Sequence, residues 1–485
     1  WRPIHDDTEV RPEDGLDIMT TLDVNIQDVA TASLERHLKA HDADFGCVVL
    51  MEVETGEIKA MANLGKTASG EYIENYNYAV GWQTEPGSTF KLASMIALSE
   101  ETGFDLSDTV QTFAGAFKFY DRVMRDSKPE GYGLLTMKQA FAKSSNIAVS
   151  RKIMESFGSN PEAYLSYLEK MGLMDPVDFQ IDGEVKPYFK SPDSKLWSGT
   201  TLPWMSIGYE LKMTPLQMLT FYNAVANNGY RVQPILVKEI REAEHVRKTF
   251  EAKKGKSPIC SERSLKLVRD MLEAVVDSGT ADNIANLNYR IAGKTGTSQK
   301  LKDNSYTRTY TTTFAGYFPA ERPKYSCIVI IDNPKGFHQY GSDVAAPVFR
   351  EVADKIFSVD MDLHKPLQAG SIVTETRPMP VIRGGFYADL KYLCNYYGLA
   401  YHSDANINGD WVRTSTNNNS VRLQSLLIQK QTIPNVEGMP LKDAFAILEN
   451  MGWPVRYGGQ GRVADMRPQP GTVYAPGQSI WLRLE

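Results

Sequence analysis

The chain has 485 residues, of which 42% are hydrophobic and 23% charged, with a formal net charge of −6. At about 150 residues per domain that length predicts two to four domains. The acidic balance, with no phosphate-cradling glycine loop and no histidine or cysteine cluster at metal-ligand spacing, argues against a nucleic-acid binder, a nucleotide-loop enzyme and a metalloprotein of the common motifs. No stretch approaches the 18 or more apolar residues of a membrane span. Residues 1–15 are polar and read as the remnant of an upstream region.

In chain order, GCVVLMEV and EIKAMANL flank Glu54-Thr55-Gly56 and predict an antiparallel hairpin. LTMKQAFAKSSN carries a helix start at Thr136 with Gln139 closing a capping box, and TPLQMLTFYNAVANNG repeats the device with Thr214, Pro215 and Gln217, leaving at Gly229. SLKLVRDMLEAVVDSGT places Leu265, Val268, Met271, Leu272, Val275 and Val276 on one buried helical face. YRIAGKTGTSQ, TYTTTFAGYFP and KYSCIVIID then read as three strands. Early strands, a helical insert and late strands predict an α+β fold whose antiparallel sheet is completed by both ends of the region.

Residues 16–357 form this first domain, 358–379 a linker, and 380–430 and 431–485 two related modules. A shift of 54 residues superimposes Pro380 on Pro434, Gly384 on Gly438, Asp389 on Asp443 and Gly398 on Gly452, with Ile382/Val436 and Leu393/Ile447 keeping apolar character. Each copy predicts an entry loop, one helix and short strands that end in SLLIQK or SIWLRLE. The four cysteines (Cys47, Cys260, Cys327, Cys394) form no framework, and Cys47 and Cys327 read as buried free thiols in apolar strands.

EPGSTFKLASM sets Ser88 and Lys91 one helical turn apart behind Pro86-Gly87. Alone, the pair describes an ordinary first turn with a solvated lysine. As chemistry, a helix start favours charge on an attacking oxygen, and a lysine acts as base only if burial or a second cation lowers its proton affinity. AKSSNIAV offers Ser144 and Asn146, although Ser-x-Asn is weak and recurs at Ser415-Thr416-Asn417. AGKTGTSQ offers Lys294 as the second cation on an edge strand, with Thr295, Gly296 and Thr297, the glycine admitting a close substrate backbone. Ser-x-x-Lys, Ser-x-Asn and Lys-Thr-Gly in this order are the signature set of serine β-lactamases and penicillin-binding proteins.

With GLDIMTTLDVNIQDVA, CVVLMEVETGEIKAMAN, SIGYELKMTPLQ and FAGYFPA, residues 16–357 resemble the transpeptidase domain of penicillin-binding proteins. IPNVEGMPLKDAFAILENMGWPV and QPGTVYAPGQSIWLRL resemble a PASTA module, and residues 380–430 a divergent one. The combination resembles class B enzymes of the cell-division type, in which a single-pass anchor upstream holds the domain on the outer face of the cytoplasmic membrane.

The resemblance implies a penicillin-binding protein/serine β-lactamase-like fold and a peptidoglycan D,D-transpeptidase. Ser88 would be the nucleophile and Lys91 its base, its proton affinity lowered in part by Lys294. Ser144 would relay a proton and Asn146 hold the substrate amide. The backbone amides of Ser88 and Thr297 would form the oxyanion hole, while Lys294, Thr295 and Thr297 read the terminal carboxylate beside Gly296. No metal or organic cofactor is implied. Implied partners are D-Ala-D-Ala stem peptides with an amine acceptor, β-lactams as covalent inhibitors, and a membrane-bound glycan polymerase with division proteins, without nucleic acid. The alternatives are a D,D-carboxypeptidase, a class D-like β-lactamase or β-lactam sensor, and a non-catalytic wall-binding scaffold.

Overall fold

A computed structural model describes residues 15–485 except 303–304, 337–338, 365–381, 383, 405–406, 408–409, 417–419, 427 and 430. The chain divides into two compact units, Trp1–Lys365 and Pro366–Glu485. The expected remnant up to residue 14, most of the expected linker, and Pro380 of the repeat lie outside the described residues.

The first unit is built on six strands: β1 (Phe45–Glu52), β2 (Ile58–Lys66), β3 (Tyr72–Ile73), β4 (Ala292–Lys302), β5 (Ser305–Phe318) and β6 (Tyr325–Asp332). They lie antiparallel in the order β4-β5-β6-β1-β2-β3, so β6 pairs with β1 across the whole helical insert. This is the α+β arrangement expected. Every residue of β6 is buried, as its unbroken apolar run requires of a strand covered on both faces. On one face lie α1 (Val24–Ala40), whose Leu34 and Leu38 close over Gly46, and the long C-terminal helix Gly341–Val359, whose Phe349 meets Phe314 edge-on. On the other lies the helix Pro215–Ala226, buried at all twelve positions, with Asn223 accepting a hydrogen bond from Ser326 at 2.7 Å.

The insert supplies α2 (Lys91–Thr102), α3 (Met137–Ala142), α4 (Asn146–Phe157), α5 (Pro215–Ala226) and α6 (Glu262–Asp277), before α7 (Gly341–Val359). Both expected capping boxes are present, Thr136 with Gln139 and Thr214 with Gln217. The expected apolar face of α6 is buried throughout. All four cysteines are free and buried. The helical region runs past residue 357: α7 ends at Val359 and a 3-10 turn covers Met361–Leu363, so the start of the expected linker is ordered. Asp360 explains this, since Tyr325 donates to it at 2.8 Å and Lys324 pairs with it at 2.7 Å.

In the second unit, α8 (Tyr387–Tyr396) precedes β7 (Tyr401–Ser403), β8 (Trp411–Thr416) and β9 (Val421–Ser425), and α9 (Leu441–Asn450) precedes β10 (Val455–Gly458), β11 (Val463–Arg467) and β12 (Ile480–Leu484). In both copies the last strand is central, parallel to the first and antiparallel to the second. Gly398 and Gly452 follow their helices with φ of 64° and 77°, the left-handed exit that glycine permits, which is why both copies place glycine there. Two details differ from expectation. The last strand of the first copy is Val421–Ser425 rather than SLLIQK, because alternation in VRLQS buries Val421 and Leu423. Leu393 is 43% exposed where Ile447 is 3%, the buried partners being Leu390 and Cys394.

Candidate active site

Ser88 lies in a 3-10 turn, Gly87–Phe90, that immediately precedes α2, and not in the α-helix itself. Three residues per turn set the side chains of positions i and i+3 in line, so the Ser-x-x-Lys spacing suits this turn closely. The Lys91 amide donates to the Ser88 carbonyl and closes it. Gly87 has φ of 54°, and its amide donates to the Gly208 carbonyl at 3.0 Å. The approach is so close that a Cβ at position 208 would lie 2.1 Å from the Gly87 oxygen. Below the turn, Glu85 accepts from the Glu210 amide at 2.8 Å and from the Tyr306 hydroxyl at 3.3 Å, and burial raises its carboxyl above the usual range.

The turn packs against the free edge of the sheet. A Cβ at Gly296 would sit 3.0 Å from Thr89 and 3.3 Å from the Pro86 oxygen, and one at Gly87 would sit 3.4 Å from the Thr297 oxygen. Gly296 is thus glycine because the turn that carries Ser88 lies on it. Among the described residues β4 pairs only with β5, so its other edge is free beside the Ser88 turn. Ser88 itself is half-buried.

Lys91 has no exposed surface. Its Nζ donates to the Ser144 carbonyl at 2.6 Å, to Asn146 Oδ1 at 2.7 Å and to Ser144 Oγ at 3.1 Å. Lysine, Ser144 and Asn146 are therefore one constellation, drawn from residues 53 and 55 positions apart in the chain. Ser144 holds φ of 57°, a left-handed conformation that costs a residue with a side chain about 1–2 kcal/mol. It sits between α3 and α4, and Asn146 is the first residue of α4 rather than part of a loop. The other Ser-x-Asn begins on β8, in the second unit, at Ser415 and Thr416; its Asn417 lies outside the described residues.

Lys294 is also wholly buried; its Nζ donates to the Thr295 carbonyl at 3.1 Å and lies 5.7 Å from the centre of the Phe141 ring. Thr295 Oγ1 is 2.6 Å from Thr280 Oγ1. Thr297 Oγ1 accepts from the Gly341 amide at 3.0 Å, which leaves its own proton to donate. Burial pushes the Lys91 amine down to about 7, opposed by the charge of Asp126. Burial also holds Lys294 well below its ordinary range, and the Lys91 charge pushes it further. Burial, and not the second cation expected to share in it, is what lowers the proton affinity of Lys91.

Sequence reasoning did not single out Asp126, Gly208 or Gly341. Gly208 stood within SIGYE without a stated role, and a Cβ at Gly341 would meet the Gly296 oxygen at 2.4 Å. Such close approaches leave no trace in the sequence but a glycine.

A family model for the penicillin binding protein transpeptidase domain matches residues 46–354. The chain belongs to the penicillin-binding protein transpeptidase family. A PASTA domain model matches residues 431–485 of this penicillin-binding protein. Stage V sporulation protein D of Bacillus subtilis is 30% identical over 358 residues, 71% of this chain and 54% of that protein. Penicillin-binding protein PbpB of Mycobacterium tuberculosis is 30% identical over 356 residues, 70% and 51%. The chain thus spans about half the length of these relatives. Among solved structures, penicillin-binding protein 3 of M. tuberculosis complexed with aztreonam matches with a TM-score of 0.63 at 28% identity, covering 71% of this chain and 79% of that one. The same protein complexed with ampicillin matches with a TM-score of 0.63 at 28% identity, covering 72% and 80%.

Proposed function

We propose that this chain is the catalytic part of a class B peptidoglycan D,D-transpeptidase, and that Ser88 is its nucleophile. The observation that carries the reading is the convergence of Ser144 and Asn146 on the buried Nζ of Lys91, one turn from Ser88. Ser88 Oγ attacks the carbonyl of the penultimate D-alanine while its proton passes to neutral Lys91. A new Oγ–C bond forms, and the developing oxyanion faces the amides of Ser88 and Thr297. Such donors act by pre-organisation, and losing one typically costs about 10²–10³ in rate.

The scissile C–N bond then breaks. The proton held on Lys91 reaches the leaving amine through Ser144, whose Oγ lies 3.1 Å from Nζ. Asn146 holds the substrate amide. Lys294 meets the terminal carboxylate with the hydroxyls of Thr295 and Thr297, beside Gly296. Burial disfavours the charged form of Lys294, and an arriving carboxylate favours it. A β-lactam carboxylate engages the same groups, and because the leaving nitrogen stays tethered to the acyl group after ring opening, the acyl-enzyme persists. In the normal cycle an amine of a second stem peptide attacks the acyl carbonyl and releases Ser88.

In this reading the domain works on the wall during cell division, beside a glycan polymerase and division proteins, and lies outside the cytoplasmic membrane, held by an anchor. Among the described residues no helix is long and apolar enough to cross a membrane. The second unit then supplies two modules, 380–430 and 431–485, that accompany the catalytic domain.

Fluorescent penicillin should label the wild-type chain covalently and leave Ser88→Ala unlabelled; equal labelling of the two would sink the assignment. Release of the bound drug within seconds would favour a β-lactamase. Transfer of the acyl group to water alone, with amine acceptors present, would favour a carboxypeptidase.

A further inference from the structure

At the end of the short strand Arg122–Arg125 a single side chain reaches under the Ser144–Asn146 segment. Asp126 is 7% exposed. Its Oδ1 accepts from the Asn146 amide at 2.7 Å and the Ile147 amide at 3.1 Å, and its Oδ2 accepts from Ser145 Oγ at 2.8 Å. The preceding residue helps: the Arg125 carbonyl accepts from Asn146 Nδ2 at 2.8 Å. That bond fixes the amide of Asn146 so that its Oδ1, not its nitrogen, faces Lys91. Ser145 in turn caps α4 by accepting from the Ala148 amide.

We propose that Asp126 is a positioning residue that clamps the Ser144–Asn146 segment beneath Lys91 and tunes Lys91 through its charge. The inference rests on the reading of Lys91 as the base of Ser88. Ser144 needs such a clamp, because its left-handed backbone is unfavourable by itself. Three hydrogen bonds to the next three residues hold the segment in register, so the Ser144 carbonyl and hydroxyl stay within reach of Nζ.

The charge acts separately from the clamp. Asp126 is the charge that acts on the Lys91 amine against burial, while Lys91 in turn acts on Lys294. Asp126 favours the ammonium and so opposes burial, which keeps Lys91 able to take up a proton in the reaction as well as to lose one before it. Without the carboxylate, Lys91 becomes neutral at lower pH but is a weaker base.

The test is the pH dependence of acylation by a chromogenic β-lactam, with melting curves for each variant. Asp126→Asn keeps an oxygen for the α4 amides and removes the charge. Its acid limb should move to lower pH by about half a unit or more, so that it retains more of its plateau rate at pH 6 than the wild type does. Ser145→Ala loosens the segment without touching the charge; its plateau should fall with the limb unmoved. Asp126→Ala should show both effects. An unmoved limb in Asp126→Asn, or an equal shift in Ser145→Ala, overturns the electrostatic role. An unchanged plateau in both Ser145→Ala and Asp126→Ala overturns the clamp. These outcomes are read on proteins that still label at Ser88, so they stand apart from failure of the Ser88 assignment, which appears as labelling of Ser88→Ala, and of the transpeptidase reading, which appears as rapid drug release or transfer to water alone.

Discussion

Lys91 works against the fold that holds it. Its amine is pushed from 10.5 down to about 7, so unfolding takes up a proton wherever the pH lies between these values. The sign follows: the penalty is fully present below about 7, and stability rises with pH from there toward 10.5 as the unfolded chain also loses its proton. A difference of this size is worth several kcal/mol, on the order of 1.4 per unit. Lys91→Met should therefore melt several degrees higher at pH 6, each kcal/mol being worth about 2–4 °C, gain less at pH 9, and lose acylation entirely. Equal gains at both pH values would show that ionisation is not the cause. The same group sets the acid limb of acylation in the wild type, which should bend near 7 and fall about tenfold below its plateau at one unit lower. Stopped-flow acylation across pH 5–9 measures it, and a limb below pH 5 would contradict Lys91 as the base.

Between elements, the critical contact is backbone on backbone. Gly208 has φ of 85° and touches the Ser88 turn at Gly87, so Gly208→Ala has neither the conformation nor the room. Acylation should fall by about tenfold or more with a loss of roughly 2–4 kcal/mol in stability, read by penicillin labelling and denaturant melts; near-wild-type behaviour would mean the turn tolerates displacement. Thr214→Ala, by contrast, removes only a cap and should cost about 1 kcal/mol with acylation intact.

These two sites also mark what a sequence exposes. Thr214, Pro215 and Gln217 announce a helix start because capping is local chemistry, and α6 announces its buried face because periodicity is local geometry. That both ends complete one sheet was legible because β1 and β6 are both continuous apolar runs; the order of the strands was not. Ser88, Lys91, Ser144 and Lys294 were legible only as a set of motifs. Asp126 was not, since its partners lie about twenty residues on and an Asp in a polar stretch reads as solvated. The strand ending at Ser425 was misplaced because an apolar run follows it directly.

For the whole molecule, the large core of the first unit and the cores of the second are separate clusters of buried residues. Calorimetry should resolve at least two transitions. A covalently bound β-lactam, which stabilises only the unit that holds it, should raise one of them and leave the other within about a degree. A single transition that moves as one would show that the units unfold together.

The pairing of β6 with β1 carries a last implication. Tyr325 opposes Glu52, and Asp332 opposes Phe45, across almost the whole first unit. Ser88 and Lys91 emerge early in synthesis, but the edge strand that faces them cannot be seated until residue 332 has left the ribosome and closed the sheet. A nascent chain, or any fragment cut short of that residue, carries the serine without its cleft. Reactivity is thereby withheld until the domain is complete.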